Sequence, residues 1–464
     1  MGICYSGMER KIEASSVLIR ITEEHPLIRL GQTLEWKELS NLVISDLKMT
    51  PGGKWKVGRK LKLRVHLGVY LLQHIFNKTD RQIEYDVKDN GAYQIFCGRN
   101  VVDGWHAPDH TKIEKFRTRL SPETQKRLAN QVAFHAVRLG FAGPEEFDID
   151  STIQEANMAY PADSGLLKKL GTMCKKAAGF LNKFVSDKSA PVTVNMKKIS
   201  ATARKYFFLP KNSTKEIKDK VLTSLLKVVS KETKRVINIC EDMDIEKILK
   251  MPWNIKRTFL QIKESGRQYL KDVGTFLKKG AVVASKRLSF HLKKVVCFTK
   301  GKLGKKYQFG RAFQLGRIKG NFFVVGKCTS TQMPDKKSVV VMVQEHEKLF
   351  GKGKIESLST DKGYYSGKNE KFLFKKKVKE IGIQRPHNIK KKHPSPLTKE
   401  RQEQLINRRS GIEPLIGHVK QNGQLGRSRM KSDQTIESSG YTSVLGFNMR
   451  QIIRHQKGQG RKAA

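Results

Sequence analysis

Hydrophobic and polar residues alternate with a period of two over residues 147–153, which predicts a β-strand with two distinct faces. One face carries Phe147, Ile149, Ser151 and Ile153, and the other carries Asp148, Asp150 and Thr152. Aspartate is depleted in strands, so two aspartates on one strand face are unusual. This pattern makes the strand a candidate for carrying part of a functional site.

The N-terminal part, from about residue 33 to 140, has helical periodicity instead. Apolar residues recur at helical spacing over residues 36–47 and 61–76, and Thr79 or Asp80 is a suitable cap for a further helix. Residues 106–110 interrupt the pattern, which resumes over residues 113–120. Short helices separated by turns suit a helix-turn-helix DNA-binding domain, and they suit a plain helical packing domain equally well.

The longest helical tract runs from about residue 166 to 300 and is rich in lysine. Residues 221–239 and 255–277 carry apolar stripes at helical spacing, surrounded by basic side chains. The tract can be interpreted as a solvated helical insertion or as a wall that contacts phosphates, and the two interpretations are compatible with each other.

Strands and helices alternate in the C-terminal part. Strands are predicted at residues 307–315, 322–325 and 355–360, and helices at residues 339–350, 369–380 and 397–421. With residues 147–153 as the first strand, and with one further strand between the last two helices that is not assigned to particular residues, the predicted order is β-β-β-α-β-α-β-α. This order predicts an α/β fold with a mixed sheet. In such sheets, ligands bind at the carboxyl ends of parallel strands. The basic tail from residue 456 is expected to be disordered.

The charge balance points to a polyanionic partner. Of the 464 residues, 91 are Lys or Arg and 43 are Asp or Glu, which gives a net charge of +48. This excess is greater than solubility requires, and it repels itself unless a polyanion screens it. Nucleic acid is the expected partner, with an anionic membrane as the second possibility.

Several other classes of protein are disfavoured by the sequence. No apolar run approaches the ~20 residues of a membrane-spanning helix, and the first residues lack the apolar core of a signal peptide. Residues 1–6 match a loose myristoylation pattern, which we attribute to chance. The six cysteines lack Cys-x-x-Cys spacing, which argues against a zinc ribbon or a disulfide framework and suits a reducing cytosol. We expect a cytoplasmic, nucleoid-associated protein.

Three acidic residues are placed where they could share a metal ion. Asp150 lies in a predicted strand, Asp361 follows one, and Glu413 lies on a predicted helix between Arg409 and Lys420. Clustered carboxylates from separate elements suit two Mg²⁺ ions, which can activate an attacking oxygen and stabilise a leaving one. Asp148 is a rival to Asp150, because both side chains are on the same strand face.

Glu413 is followed by a proline, which affects the helix that carries it. Pro414 cannot donate a hydrogen bond to Ser410, and Gly411 also weakens the helix. We therefore predict a kink, with Glu413 in the first turn of the second half. A surface ladder of ion pairs is the alternative interpretation of Arg409, Glu413 and Lys420.

Taken together, these segments resemble a bacterial insertion-sequence transposase of the DDE superfamily. The resemblance rests on Asp-Ser-Thr-Ile-Gln-Glu-Ala-Asn at 150–157, Asp-Lys-Gly-Tyr-Tyr-Ser at 361–366, Arg409-x₃-Glu413-x₆-Lys420, Trp-His-Ala-Pro-Asp-His-Thr at 105–111 and Gly-Phe-Asn-Met-Arg at 446–450. It spans about residues 50–455 and is weakest over residues 166–300. It implies an RNase H-like catalytic domain with a mixed sheet and flanking helices.

The resemblance also implies roles for particular residues. Asp150, Asp361 and Glu413 would be the catalytic metal ligands, for two Mg²⁺ ions that Mn²⁺ could replace. The residues implied to contact DNA are Arg409, Lys420, Lys362 and Tyr364. The pattern departs from the family at Ile406, where the motif usually has a tyrosine, and this puts a hairpin-forming route in doubt.

The long insertion separates Asp150 from Asp361, whereas Glu413 follows Asp361 closely. The implied domains are a helical N-terminal DNA-binding domain (1–140), the first part of the catalytic domain (141–165), a helical lysine-rich insertion (166–300), the rest of the catalytic domain (301–455) and a basic tail (456–464). Relatives with a β-rich insertion carry it before the glutamate, so this layout is different.

The implied activity is cut-and-paste transposition: binding of terminal inverted repeats, metal-dependent cleavage, and joining of the 3′-OH ends to target DNA. Double-stranded DNA is the expected partner, with a homodimer when two ends are synapsed. An inactive or repurposed sequence-specific DNA-binding protein is the alternative, and a basic RNA- or membrane-associated structural protein is a third. No nucleotide cofactor is expected, because the glycine-containing segment at 53–60 lacks a Lys-Ser or Lys-Thr ending.

Overall fold

The computed structural model describes residues 21–48, 61–99, 107–184, 191–243, 245–283, 286–299, 307–329, 335–384 and 397–463. The N-terminal helices are α1 (Pro26–Thr33), α2 (Trp36–Lys48), α3 (Leu63–Ile75), α4 (Asp80–Asp89), α5 (Gly91–Phe96), α6 (His110–Arg119) and α7 (Pro122–Arg138). The predicted cap of α4 is confirmed, because Thr79 and Gln82 bond to each other's backbone amides. The interrupted segment also behaves as predicted: Asp109 caps α6. Residues 100–106 lie outside the described residues.

The lysine-rich tract is helical, as predicted. Its helices are α8 (Asp163–Phe184), α9 (Met196–Phe207), α10 (Lys215–Glu241), α11 (Ile245–Lys250), α12 (Trp253–Leu260) and α13 (Arg267–Lys279), with a π-helical turn at Gln261–Gly266. The tract has a hydrophobic core of its own, in which Leu170, Leu225 and Tyr269 are fully buried. We call residues 163–290 the helical insertion.

A six-stranded mixed sheet follows and includes the strand before the insertion. Its strands are β1 (Gly143–Glu155), β2 (Val296–Thr299), β3 (Tyr307–Lys319), β4 (Phe322–Val325), β5 (Ser357–Thr360) and β6 (Glu380–Ile383), in the order β2-β3-β1-β5-β6 with β4 also paired to β3. β1, β3 and β4 are antiparallel neighbours, whereas β5 runs parallel to β1 and β6 runs parallel to β5.

Five helices complete the C-terminal part: α14 (Asp335–Phe350), α15 (Gly367–Lys375), α16 (Lys399–Ser410), α17 (Ile412–Gln421) and α18 (Asp433–Ala463). The predicted β-β-β-α-β-α-β-α order is confirmed by β1, β3, β4, α14, β5, α15, β6 and α16. β2 was not predicted, and no residues were assigned to β6. α15 ends earlier than expected because Lys377 adopts a positive φ of 60° before β6. The tail from residue 456, expected to be disordered, instead continues α18 to Ala463.

The N-terminal helices and the sheet share one hydrophobic core. α7 and α18 pack against each other and both contact β4. Asn130 of α7 exchanges two hydrogen bonds with the backbone of Val325, and Asn448 of α18 exchanges two with Phe323. These side chains satisfy backbone groups that an edge strand would otherwise leave unpaired. None of the described helices is both long and apolar enough to cross a membrane.

Candidate active site

The register of two parallel strands places Asp150 beside Asp361. Ile149 of β1 is opposite Thr360 of β5, and the next residues are the two aspartates. Neighbouring strands lie about 4.8 Å apart, so both side chains leave the sheet at one place, the carboxyl end of β5. Asp361 is fixed in its backbone conformation by a 2.7 Å hydrogen bond from the Lys362 amide to its Oδ1.

The helix that carries Glu413 is broken where the sequence predicts a kink. α16 ends at Ser410 and α17 begins at Ile412, so Glu413 and Pro414 lie in the first turn of α17. First-turn amides have no partner within the helix, and the proline therefore costs no hydrogen bond. A Cβ on Gly411 would lie 2.7 Å from Arg317 Nη1, so the break needs the space that glycine leaves.

Arg409 connects the glutamate to one of the aspartates. Its Nη2 donates to Glu413 Oε1 at 2.9 Å, and its Nη1 lies 3.7 Å from Asp361 Oδ1. Both nitrogens belong to one planar guanidinium, so the two carboxylates lie within the reach of a single side-chain head. The Arg409 side chain is 17% exposed, whereas those of Asp361 and Glu413 are 53% and 64% exposed.

Asp150 lies deeper than the other two acids, and its environment disfavours its charge. Burial, together with the neighbouring charges of Glu413 and Asp361, raises the pKa of its carboxyl to about 6. The Ser151 amide, which donates to Asp150 Oδ1 at 2.7 Å, and the charge of Arg409 partly offset this effect. The electrostatic coupling of Asp150 to Asp361, Glu413 and Arg409 indicates that all four belong to one site.

Asp148, the rival acid on the same strand face, is fully engaged elsewhere. It is 1% exposed and accepts hydrogen bonds from Arg317 at 3.0 and 2.6 Å and from Arg408 at 3.0 and 2.8 Å. Two bidentate arginines leave this carboxylate no free lone pair for a metal ion. The geometry therefore favours Asp150 as the available acid of β1.

The structure adds a carboxylate that the sequence patterns did not single out. Asp335, the first residue of α14, accepts a hydrogen bond from Ser151 Oγ at 3.3 Å. Burial and the charge of Asp361 raise the pKa of Asp335. In the sequence this residue is recognisable only as a helix start, because nothing local indicates that α14 begins beside the carboxyl ends of β1 and β5.

The four residues implied to contact DNA differ in their placement. Lys362 is exposed, Lys420 is partly buried and Arg409 is paired with the acids. Tyr364 is 1% exposed, and burial raises the pKa of its hydroxyl well above the usual value, as do the nearby charges of Asp150 and Asp335. Direct contact of Tyr364 with DNA is therefore not supported. Its side chain belongs to the hydrophobic core.

A divalent metal ion fits the chemistry of the donor set, although the acids do not converge in this conformation. Within the described ranges, no three His, Cys, Asp or Glu side chains stand close enough together to hold a metal ion. Carboxylates are the ligands that Mg²⁺ prefers, and the exposed side chains of Asp361 and Glu413 have room to turn toward Asp150. Burial is the main cause of the raised pKa of Asp150, and a bound cation would favour the charged form of this carboxyl.

Two regions of the chain match families of known proteins. Residues 15–119 match a transposase domain known as DUF772, and residues 327–448 match a transposase DDE domain. The chain carries the domains of an insertion-sequence DDE transposase. The second match includes Asp361 and Glu413, while Asp150 lies before it, on the other side of the helical insertion. DDE transposases generally use divalent metal ions, and the two matched domains imply DNA as the partner.

One similar protein comes from Rhizobium meliloti. The uncharacterized protein ORF8 in the nfe locus is 26% identical over 163 residues, which are 34% of this transposase and 75% of that protein. No solved structure matches the chain.

Proposed function

We propose that this transposase binds the ends of its own mobile element, cleaves phosphodiester bonds there and joins the freed 3′-OH ends to target DNA. The observation that carries the proposal is the grouping of Asp150, Asp361 and Glu413 around the head of Arg409, at the carboxyl end of β5. Three acids from two strands and a helix, at this edge of an α/β sheet, form a site for phosphoryl transfer.

The three acids are the proposed ligands of two Mg²⁺ ions. When bound, such ions activate an attacking hydroxyl and stabilise the leaving oxygen. Asp150, on the central strand, fixes the site in the sheet, while Asp361 and Glu413 adjust from the surface. Arg409, Lys420 and Lys362 are proposed to hold the phosphates next to the cleaved bond. The same site would first hydrolyse a phosphodiester bond at the element end, and the freed 3′-OH would then attack a phosphodiester bond of the target DNA.

The order of elements supports an RNase H-like catalytic domain, formed by residues 141–165 and 301–455. The intervening residues 166–300 include most of the helical insertion. The N-terminal helices, residues 1–140, are proposed to recognise the terminal inverted repeats. Two ends must meet in one complex for both to be joined, so the active form on DNA is proposed to be a homodimer. The net charge of +48 suits association with the nucleoid.

The test uses purified full-length protein and DNA that carries the inverted repeats flanking its gene. Cleavage at the ends is expected with Mg²⁺ or Mn²⁺ and not with chelator. Asp361→Asn should bind the same DNA but leave it uncut. A protein that binds the ends and never cuts them, under any divalent metal, would instead be an inactive or repurposed DNA-binding protein.

A further inference from the structure

Two adjacent phenylalanines are exposed on the helical insertion. Phe207, the last residue of α9, is 77% exposed, and Phe208, which follows it, is 75% exposed. Their rings contact each other edge to face, with centroids 5.3 Å apart. Single exposed apolar side chains are common, but two large aromatic rings together form a patch that loses favourable burial unless a partner covers it.

The segments of the chain on either side of this patch are rich in basic residues. From Lys168 to Lys215, every charged residue in the described part is a lysine or an arginine. On α8, exposed lysines recur at spacings of seven and eight residues, which places them on one face: Lys168, Lys175, Lys176 and Lys183. On α9, Arg204 and Lys205 are exposed immediately before the phenylalanines.

The acid that begins α8 does not neutralise this surface. Asp163 faces inward, where it pairs with Lys286 at 2.7 Å and accepts a 2.7 Å hydrogen bond from the Tyr269 hydroxyl. None of Lys175, Lys176 and Lys183 forms an ion pair with an acid of the described residues. The face therefore keeps its full positive charge, which is complementary to a polyphosphate.

The phenylalanines lie at the end of α9, which packs against α8. The C-terminal end of α8 contacts the segment before α9, since Asn182 exchanges two hydrogen bonds with Val192. α9 therefore runs back along α8. Burial raises the pKa of Tyr206, as do the charges of Asp163 and Asp219, so the end of α9 lies near the start of α8 and near α10. Only residues 156–162 connect that start to β1, the strand of Asp150.

We propose that Phe207 and Phe208 stack on unpaired or unstacked bases of DNA whose backbone is held by the lysines of α8 and the basic residues of α9. Phenyl rings offer no hydrogen bonds, so they would recognise an exposed base without reading its identity. Flanking lysines and arginines supply affinity for the backbone. The natural substrate is DNA near the cleaved end, a point that rests on the proposed function. Base stacking itself does not require cleavage.

The test is a binding measurement with full-length protein in the presence of chelator, so that no cleavage occurs. Two fluorescent probes are compared: a fully paired duplex, and the same duplex with a short single-stranded tail containing 2-aminopurine. Wild-type protein should prefer the tailed probe and quench 2-aminopurine, because stacking on an aromatic ring quenches that base.

The double variant F207A/F208A should bind the tailed probe about 5- to 100-fold more weakly and lose the quenching, with little change for the duplex. The double variant K175Q/K176Q should weaken binding of both probes and reduce the salt dependence. L249A removes another exposed apolar side chain of the insertion and is the matched control, for which no change is expected. Circular dichroism checks that each variant is folded.

Unchanged affinity and quenching in F207A/F208A would overturn the stacking proposal. So would a change in oligomeric state, measured by light scattering, without a change in binding, because it would show that a second copy of the chain covers the patch. This test and the test of the proposed function can fail independently. Wild-type protein can cleave element ends with Mg²⁺ while F207A/F208A binds normally, or it can fail to cleave while F207A/F208A loses binding and quenching.

Discussion

Asp148 and Asp150 lie two residues apart on the same face of β1, yet their surroundings are opposite. Asp148 is buried between Arg317 and Arg408, each of which binds it with two nitrogens. Asp150 receives one backbone hydrogen bond and lies near two further acids. The first aspartate is compensated and structural, whereas the second carries uncompensated charge, which is the condition for binding a cation.

Replacing Asp148 should destabilise the protein. D148N leaves Arg317 and Arg408 as buried cations with a neutral partner, and breaking a buried pair costs about 3 kcal/mol or more. Urea denaturation should show a lower free energy of unfolding, and any loss of DNA cleavage should follow the loss of folded protein. Equal stability of D148N and wild type would contradict the structural role.

Replacing Asp150 should have the opposite effect on stability, in a pH-dependent way. Its pKa is raised from 3.8 to about 6 in the folded protein, so the folded state binds more protons than the unfolded state between these values. Stability contributed by the protonated carboxyl is therefore lost as pH rises through about 4 to 6. Without divalent metal, D150N should be more stable than wild type at pH 7.5, by up to about 3 kcal/mol.

Near pH 3 the difference should vanish, because Asp150 is then neutral in both states. The measurement is urea denaturation of both proteins at several pH values in chelator. A stability difference that does not change with pH would show that the carboxyl is not desolvated as the structure indicates.

Removing Arg409 should help metal binding and harm DNA processing. In this structure its guanidinium neutralises Glu413 and Asp361, so it competes with a cation for the same oxygens. R409Q should bind Mn²⁺ more tightly in the absence of DNA, measured by titration calorimetry, while cutting element ends more slowly. Weaker Mn²⁺ binding by R409Q would mean that Arg409 organises the acids. R401Q is a suitable control, because Arg401 also lies on α16 but pairs with Glu380 instead of with the site acids.

The close approach of α18 to the sheet gives a test of the fold. A Cβ on Gly440 would lie 2.1 Å from Cζ of Phe313, so G440A forces the ring to move. We expect a loss of roughly 1 to 3 kcal/mol in the free energy of unfolding. G458A is the matched control on the same helix, where nothing lies within 4 Å of the new Cβ and a small gain is expected. Similar effects of both changes would contradict this packing.

Much of the architecture follows from local patterns in the sequence. Alternation located β1, helical spacing located α2 and α3, and Pro414 with Gly411 located the break before Glu413. The short strand β2 carried no comparable signal, and the tail was misjudged because its polar composition concealed the continuation of α18. Local composition cannot report on such features, since long-range packing decides them.

The candidate site was also predictable only in part, because some of its features depend on long-range packing. Spacing and the family resemblance identified Asp150, Asp361 and Glu413 as candidates. The difference in role between Asp148 and Asp150 depends on Arg317 and Arg408, which come from distant parts of the chain. Asp335 and the burial of Tyr364 likewise depend on how β5 and α14 meet β1.

The central claim is that Asp150, Asp361 and Glu413 form one site for a divalent cation, and Mn²⁺ binding measured by electron paramagnetic resonance tests it most directly. The account predicts that wild-type protein binds Mn²⁺ and that D150N, D361N and E413Q each weaken binding about tenfold or more. E216Q, which changes an exposed glutamate of the insertion, should bind as wild type does. Wild-type affinity in all three site variants would contradict the account.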